Sequence, residues 1–113
     1  MSYPSNLPAS VDNFLSITQS SYNSNKLFIL NFKASWCAPC KAMTPSISYL
    51  QTEYSKYAKF YMIDIEDPEL EEYPPRFEIA KVPTFIIIKN GNIIGSMIGT
   101  DKNKLEELIN ENI

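Results

Sequence analysis

Two cysteines stand three residues apart in the run Trp36-Cys37-Ala38-Pro39-Cys40-Lys41, and they are the only cysteines in the chain. The run follows an apolar stretch and opens a helical pattern. Cysteines at i and i+3 of a helix start can close a disulfide across the first turn. A helix N-terminus presents unpaired N–H groups and a partial positive charge. That environment favours a thiolate over a thiol and lowers the pKa of the nearer cysteine. Cys37 is therefore expected to be the attacking sulfur and the more exposed of the two. Cys40, one turn deeper, is expected to resolve the mixed disulfide that Cys37 forms. Pro39 stiffens the turn and has no N–H to lose there. Trp36 can shield one side of the pair and offer a partner an apolar surface.

Other uses of the pair are weaker. A mononuclear zinc site takes four ligands, or three plus water. The chain has no histidine and no further cysteine, so zinc would need a second chain. Inert core cysteines do not suit the strand-to-helix position or the flanking Trp and Pro. A structural disulfide closing so short a loop would constrain the unfolded chain little.

The rest of the composition bounds the setting. A chain of 113 residues, 44% apolar and 20% charged with three glycines, reads as one compact domain, residues 1–113, with 1–9 as a loose lead-in. A net charge of −3 offers no electrostatic case for nucleic acid or an anionic membrane. Apolar runs stop at four residues, as at 85–88, far short of a membrane span. The first residues lack a basic stretch followed by an apolar one. Cysteine usage is not that of a secreted disulfide framework. A reducing, cytoplasmic setting is the expectation, with a virion or organelle location left open. The chain is expected to be a monomer.

Elements must hold the cysteines in place. Ser10 can cap a helix through Val11, Phe14, Leu15 and Thr18, broken at Asn23-Ser24-Asn25. Residues 27–32 read as a strand buried on both sides. After the cysteines, Met43, Ile47, Leu50, Tyr54 and Tyr57 form one helical stripe, with Pro45 inside it as a kink. Residues 60–64 read as a second strand, and 67–77 as a helical region whose end Pro74-Pro75 disturbs. Residues 84–89 form a third strand, Asn90-Gly91 a hairpin turn, and 92–99 the returning strand. Thr100 or Asp101 caps a last helix with Leu105, Leu108, Ile109 and Ile113 inward. Alternating strands and helices imply crossovers and a parallel pair; the hairpin adds an antiparallel one. The fold class expected is α/β, a central mixed sheet with helices on both faces.

On these residues the sequence resembles the thioredoxin family over nearly its whole length. The family motif Trp-Cys-Gly-Pro-Cys-Lys stands here with Ala38 for Gly. Pro45 matches the family's helix proline, and Val82-Pro83-Thr84 its cis-proline segment, reached through residues 77–81. Asn90-Gly91 and Ile98-Gly99 follow at near-family distances. The resemblance implies a thioredoxin fold with Pro83 cis beside the disulfide. It implies that Val82 pairs its backbone with an extended substrate peptide, a form of strand addition. Trp36, Ala38, Pro39, Val82, Pro83, Ile98 and Gly99 would make the docking surface; packing and strand termination are the plainer uses of Ile98 and Gly99. Lys41 completes the motif.

The resemblance also exposes departures. Asn31 stands where the family usually buries an Asp thought to help deprotonate the second cysteine. An amide cannot take a proton at neutral pH. Met62 stands where some relatives place a Lys; losing both charges together is consistent, since either alone would be costly to bury. Release of the mixed disulfide is expected to be slower than with the carboxylate. A short insertion lies around residues 72–76, in an acidic stretch that reads as a solvated face or as a patch selecting basic partners.

The absence of His between the cysteines, Ala38-Pro39 itself and Val82 all resemble the reducing members. The expected activity is reduction of protein disulfides, with no cofactor or metal and with a thioredoxin-reductase-type electron donor. A disulfide isomerase or oxidase, and a binding module with little turnover, are the alternatives.

Overall fold

A computed structural model describes residues 25–113. The expected lead-in and the Ser10-capped helix lie outside the described residues. Strand β1 spans Leu27–Lys33 and is followed by helix α1, Ala38–Glu53. Strand β2, Ala58–Asp64, leads through a 3-10 turn, Pro68–Leu70, to a short helix α2, Tyr73–Arg76. Strands β3, Thr84–Lys89, and β4, Asn92–Ile98, precede helix α3, Lys102–Asn112.

The described strands form one sheet in the order β2-β1-β3-β4. β1 and β2 are parallel, with Asn31 opposite Met62. β1/β3 and β3/β4 are antiparallel. Successive side chains of a strand point to opposite faces, and β1 is apolar on both. Leu27 and Ile29 pack with Met43, Ile47 and Leu50 of α1 and with Leu105 and Ile109 of α3. Phe28, Leu30 and Phe32 pack on the other face with Leu70 and Tyr73. The α/β class, with a mixed sheet and helices on both faces, is thus the fold found.

Several boundaries differ from expectation, each for a local reason. The stripe ends before Tyr57: α1 stops at Glu53 and Tyr54 is its C-cap. The chain then turns back, the Ala58 N–H donating to Tyr54 O at 2.8 Å, and Tyr57 is exposed. The turn feeds β2 two residues earlier than the pattern suggested. Residues 67–77 form no continuous helix. Pro74 and Pro75 lack the N–H groups that would bond back to the preceding turn. They sit instead in the first turn of α2, where those donors are not needed, so they open a helix and do not end one. Asp101, not Thr100, caps α3, its Oδ1 accepting the Lys104 N–H at 3.0 Å. Leu105 and Ile109 are buried, but Ile113 lies past the helix end and is exposed. β4 stops at Ile98, since Gly99 takes φ 106°. The hairpin turn has φ 53° at Asn90 and 80° at Gly91, the positive pair of a type I′ turn.

Candidate active site

The buried strand β1 delivers the chain to the site, and α1 receives it. Between them the Cys37 N–H donates to Ala34 O at 3.2 Å. Cys37 is the N-cap of α1, with φ −88° and ψ 101°, and Pro39 lies in the first turn. The Cys37 sulfur accepts the Cys40 backbone N–H at 3.1 Å. A sulfur thus takes the place of the side-chain oxygen that usually satisfies an exposed helix donor. Cys37 and Cys40 are joined as a disulfide, with Cα atoms 5.2 Å apart.

Exposure departs from expectation. Cys37 is 3% exposed and Cys40 is 6%, so Cys37 is not the more open residue. The reason is tertiary: Ile65 and Val82, from opposite ends of the β2–β3 crossover, pack on the pair and Ala34. The Val82 carbonyl oxygen lies 3.7 Å from the Cys37 sulfur.

The Val82–Pro83 peptide is cis, as the resemblance implied. Pro83 is buried and Val82 half-buried. The Gly99 N–H donates to Pro83 O at 3.0 Å, and Ile98 pairs with Thr84. The Thr84 hydroxyl donates to Lys81 O at 2.6 Å and closes the segment before the proline. Trp36 and Ile98 are 64% and 63% exposed; Ala38, Pro39 and Lys41 are exposed as well.

Trp36 and Val82 also border a groove of about 240 Å³. Its other walls are Ile65, Pro74, Ile79, Ala80 and Lys81, none of which was expected at the site. They lie along the β2–β3 crossover, Ile65 just after β2 and residues 79–81 just before β3, with the Ile79 N–H donating to Pro74 O at 3.0 Å. No spacing could have marked them.

A second cavity, of about 110 Å³, lies on the Cys40 side and is lined in part by Asn31, Lys33, Cys40 and Met62. Asn31 is 4% exposed, and its Oδ1 finds no hydrogen-bond partner among the described residues. On the rim, the Ser35 hydroxyl donates to Glu66 Oε1 at 3.3 Å, while the Glu66 N–H donates to Asp64 Oδ1 at 2.9 Å. Further out, burial and the nearby Glu72 carboxylate push the Tyr73 phenol up to about 12. Among the described residues no group of three or more His, Cys, Asp or Glu could hold a metal ion.

A disulfide spanning the first helical turn at the end of a buried strand, packed against a cis-proline segment, defines a thioredoxin-fold dithiol redox domain. The family model for Thioredoxin matches residues 7–111. The chain is 34% identical over 86 residues to Thioredoxin H4 of Arabidopsis thaliana, covering 76% of this chain and 71% of that protein. It is 35% identical over 88 residues to Thioredoxin H2-1 of Oryza sativa subsp. japonica, covering 78% of this chain but 62% of that longer one. The crystal structure of thioredoxin NaTrxh from Nicotiana alata superposes with a TM-score of 0.81 at 32% identity, covering 99% of this chain and 96% of that one. The chain belongs to the thioredoxin family, and by class it is a thiol–disulfide oxidoreductase.

Proposed function

We propose that the chain, acting as a single monomeric domain, reduces disulfides of protein substrates, with Cys37 attacking and Cys40 resolving. The observation that carries this reading is the Cys37 sulfur at the N-cap of α1, holding the Cys40 N–H at 3.1 Å. A thiolate at that position keeps this donor and the partial positive charge of the helix end. It attacks one sulfur of the substrate disulfide, forms a mixed disulfide and expels the other sulfur as a thiolate. Cys40, as a thiolate, then attacks Cys37. The Cys37–Cys40 bond forms, the second substrate sulfur leaves, and two electrons have passed to the substrate.

Docking would use the Val82 backbone as a strand edge for an extended peptide. The exposed Trp36, Ala38, Pro39 and Ile98 would flank it, with Pro83 and Gly99 shaping the loop beneath. Lys41 and Asn31 would support the cysteines from the helix and the strand. The absence of His between the cysteines and the Ala38-Pro39 pair support the reducing direction. Electrons would come from a thioredoxin-reductase-type donor, in a cytoplasmic setting and without a cofactor.

The deciding experiment is the reduction potential of the pair in glutathione buffers, paired with reduction of insulin disulfides. A value near the roughly −270 mV of a thioredoxin, with insulin reduced, is the expected result. A value above roughly −200 mV would assign the chain to oxidation or isomerisation instead. The neutral amide of Asn31, which lines the same cavity as Cys40 and whose Oδ1 has no partner among the described residues, favours a second reading, a binding module with slow turnover. Partners retained after both cysteines are replaced would select it.

A further inference from the structure

No carboxylate lines the cavity behind Cys40. Besides Cys40 its polar lining is Asn31, Lys33, Ser35, Lys41 and Thr44, and the two lysines are its ionised groups. Lys33 ends the same alternating row of β1 that carries Leu27, Ile29 and Asn31, so it falls on the α1 side of the sheet. Across the parallel pair, Met62 opposes Asn31 and brings no charge. Two carboxylates next to this row are engaged by other donors: Asp64, the register partner of Lys33, accepts the Glu66 N–H, and Glu66 accepts from Ser35. Among the described residues the Lys33 ammonium has no hydrogen bond or ion pair.

A cavity of about 110 Å³ exceeds the roughly 10–15 Å³ that one water centre needs. The buried Asn31 Oδ1, without a protein donor, can accept from such a water. Cys40 therefore has no carboxylate lining its cavity, but that cavity has room for water, polar walls and two cations. We infer that Lys33 is a positioning residue for Cys40, its ammonium holding that sulfur as the thiolate that attacks the mixed disulfide. The inference rests on the dithiol reading above and names the group that offsets the missing carboxylate. In this step the Cys40 proton leaves through cavity water to bulk solvent. The Cys40 thiolate forms the bond to Cys37, the bond from Cys37 to the substrate breaks, and the departing substrate thiolate is protonated by solvent. A cation near a thiolate favours the charged form, whereas a carboxylate would oppose it and act only by taking the proton.

The test isolates Cys40 in the Cys37→Ser chain, where serine keeps an acceptor at the helix cap. Iodoacetamide alkylation of Cys40 is followed against pH, with and without Lys33→Met and Lys33→Arg. Lys33→Met is expected to slow alkylation at neutral pH by about threefold and to move the profile to higher pH. Lys33→Arg is expected to restore it, and ionic strength near about 1 M to shrink the difference. A Lys33→Met profile that superimposes on its parent, or one that arginine does not rescue, overturns the inference. Should Lys33→Met fail to fold by circular dichroism, Lys33→Gln serves in its place. Insulin reduction by the unsubstituted chain tests the dithiol reading separately. If insulin is untouched while the profile still depends on Lys33, that reading fails and the role of Lys33 at Cys40 stands.

Discussion

The Cys40 N–H donates to the Cys37 sulfur at 3.1 Å, so the reactive residue is also the cap of the helix that follows it. Structure and reactivity share one hydrogen bond. Serine can replace the cap function of Cys37 but not its chemistry; alanine can replace neither. Both Cys37→Ser and Cys37→Ala are expected to lose insulin reduction. With Cys40 also replaced by serine in each, so that no disulfide contributes, the alanine form should be less stable by about 1 kcal/mol. Urea unfolding of the pair decides; equal midpoints would show that the cap contributes nothing.

Cys40→Ser should leave Cys37 free to attack and unable to be released. Such a chain is expected to accumulate disulfide-linked partners that a reducing agent frees, visible on non-reducing gels. Absence of adducts, with Cys37 still titratable by a thiol reagent, would remove Cys37 from the attacking role.

Asn31 offers the resolving sulfur an amide where a carboxylate could take its proton. Asn31→Asp is expected to raise multiple-turnover insulin reduction by about threefold or more, since a positioned base assists proton transfer. It should also lower stability by about 2 kcal/mol, because the site is 4% exposed and its existing Oδ1 already lacks a donor among the described residues. An unchanged rate in a folded variant would mean that resolution does not limit turnover.

Glu78 stands at φ 54°, in the left-handed region that suits glycine, and its N–H donates to Pro75 O at 3.1 Å as α2 closes. A non-glycine residue there costs about 1–2 kcal/mol, and glycine loses part of that gain to its freedom in the unfolded chain. Glu78→Gly should therefore stabilise by about 0.5–1 kcal/mol in urea unfolding. A destabilised variant would show that the Glu78 side chain matters more than its backbone.

Tyr73 is buried in the core on the sheet face opposite α1, and its phenol is pushed up to about 12 from the ordinary 10. The folded state then keeps a proton that the unfolded state has released. Stability from this residue is complete below about pH 10 and is lost as pH rises towards 12. Tyr73→Phe should flatten that part of the stability profile relative to the parent. Parallel profiles across the window would refute the assignment.

Much of the frame was legible because its signals are local. β3 has the bounds its apolar run suggests, and Asn90-Gly91 turns as its two residue types require. The acidic connection was the least legible stretch. Its prolines signal a break, but a proline reads equally as the end of one helix or the start of the next. Only the position of Tyr73 in the core, beneath β1, decides between them.

By itself the sequence determined the chemistry. Two cysteines at i and i+3, at the mouth of a helix, can close on one another, and the absence of histidine removes the simplest alternative. Strand and helix periods likewise placed both faces of the sheet. Only the tertiary structure decided what surrounds the pair. Cys37 is covered because Ile65 and Val82 arrive from opposite ends of the β2–β3 crossover, and Lys33 and Cys40 line one cavity because β1 and α1 pack along one face of the sheet. Periodicity reports which side of an element is apolar; it carries no information about which other element will come to lie against it.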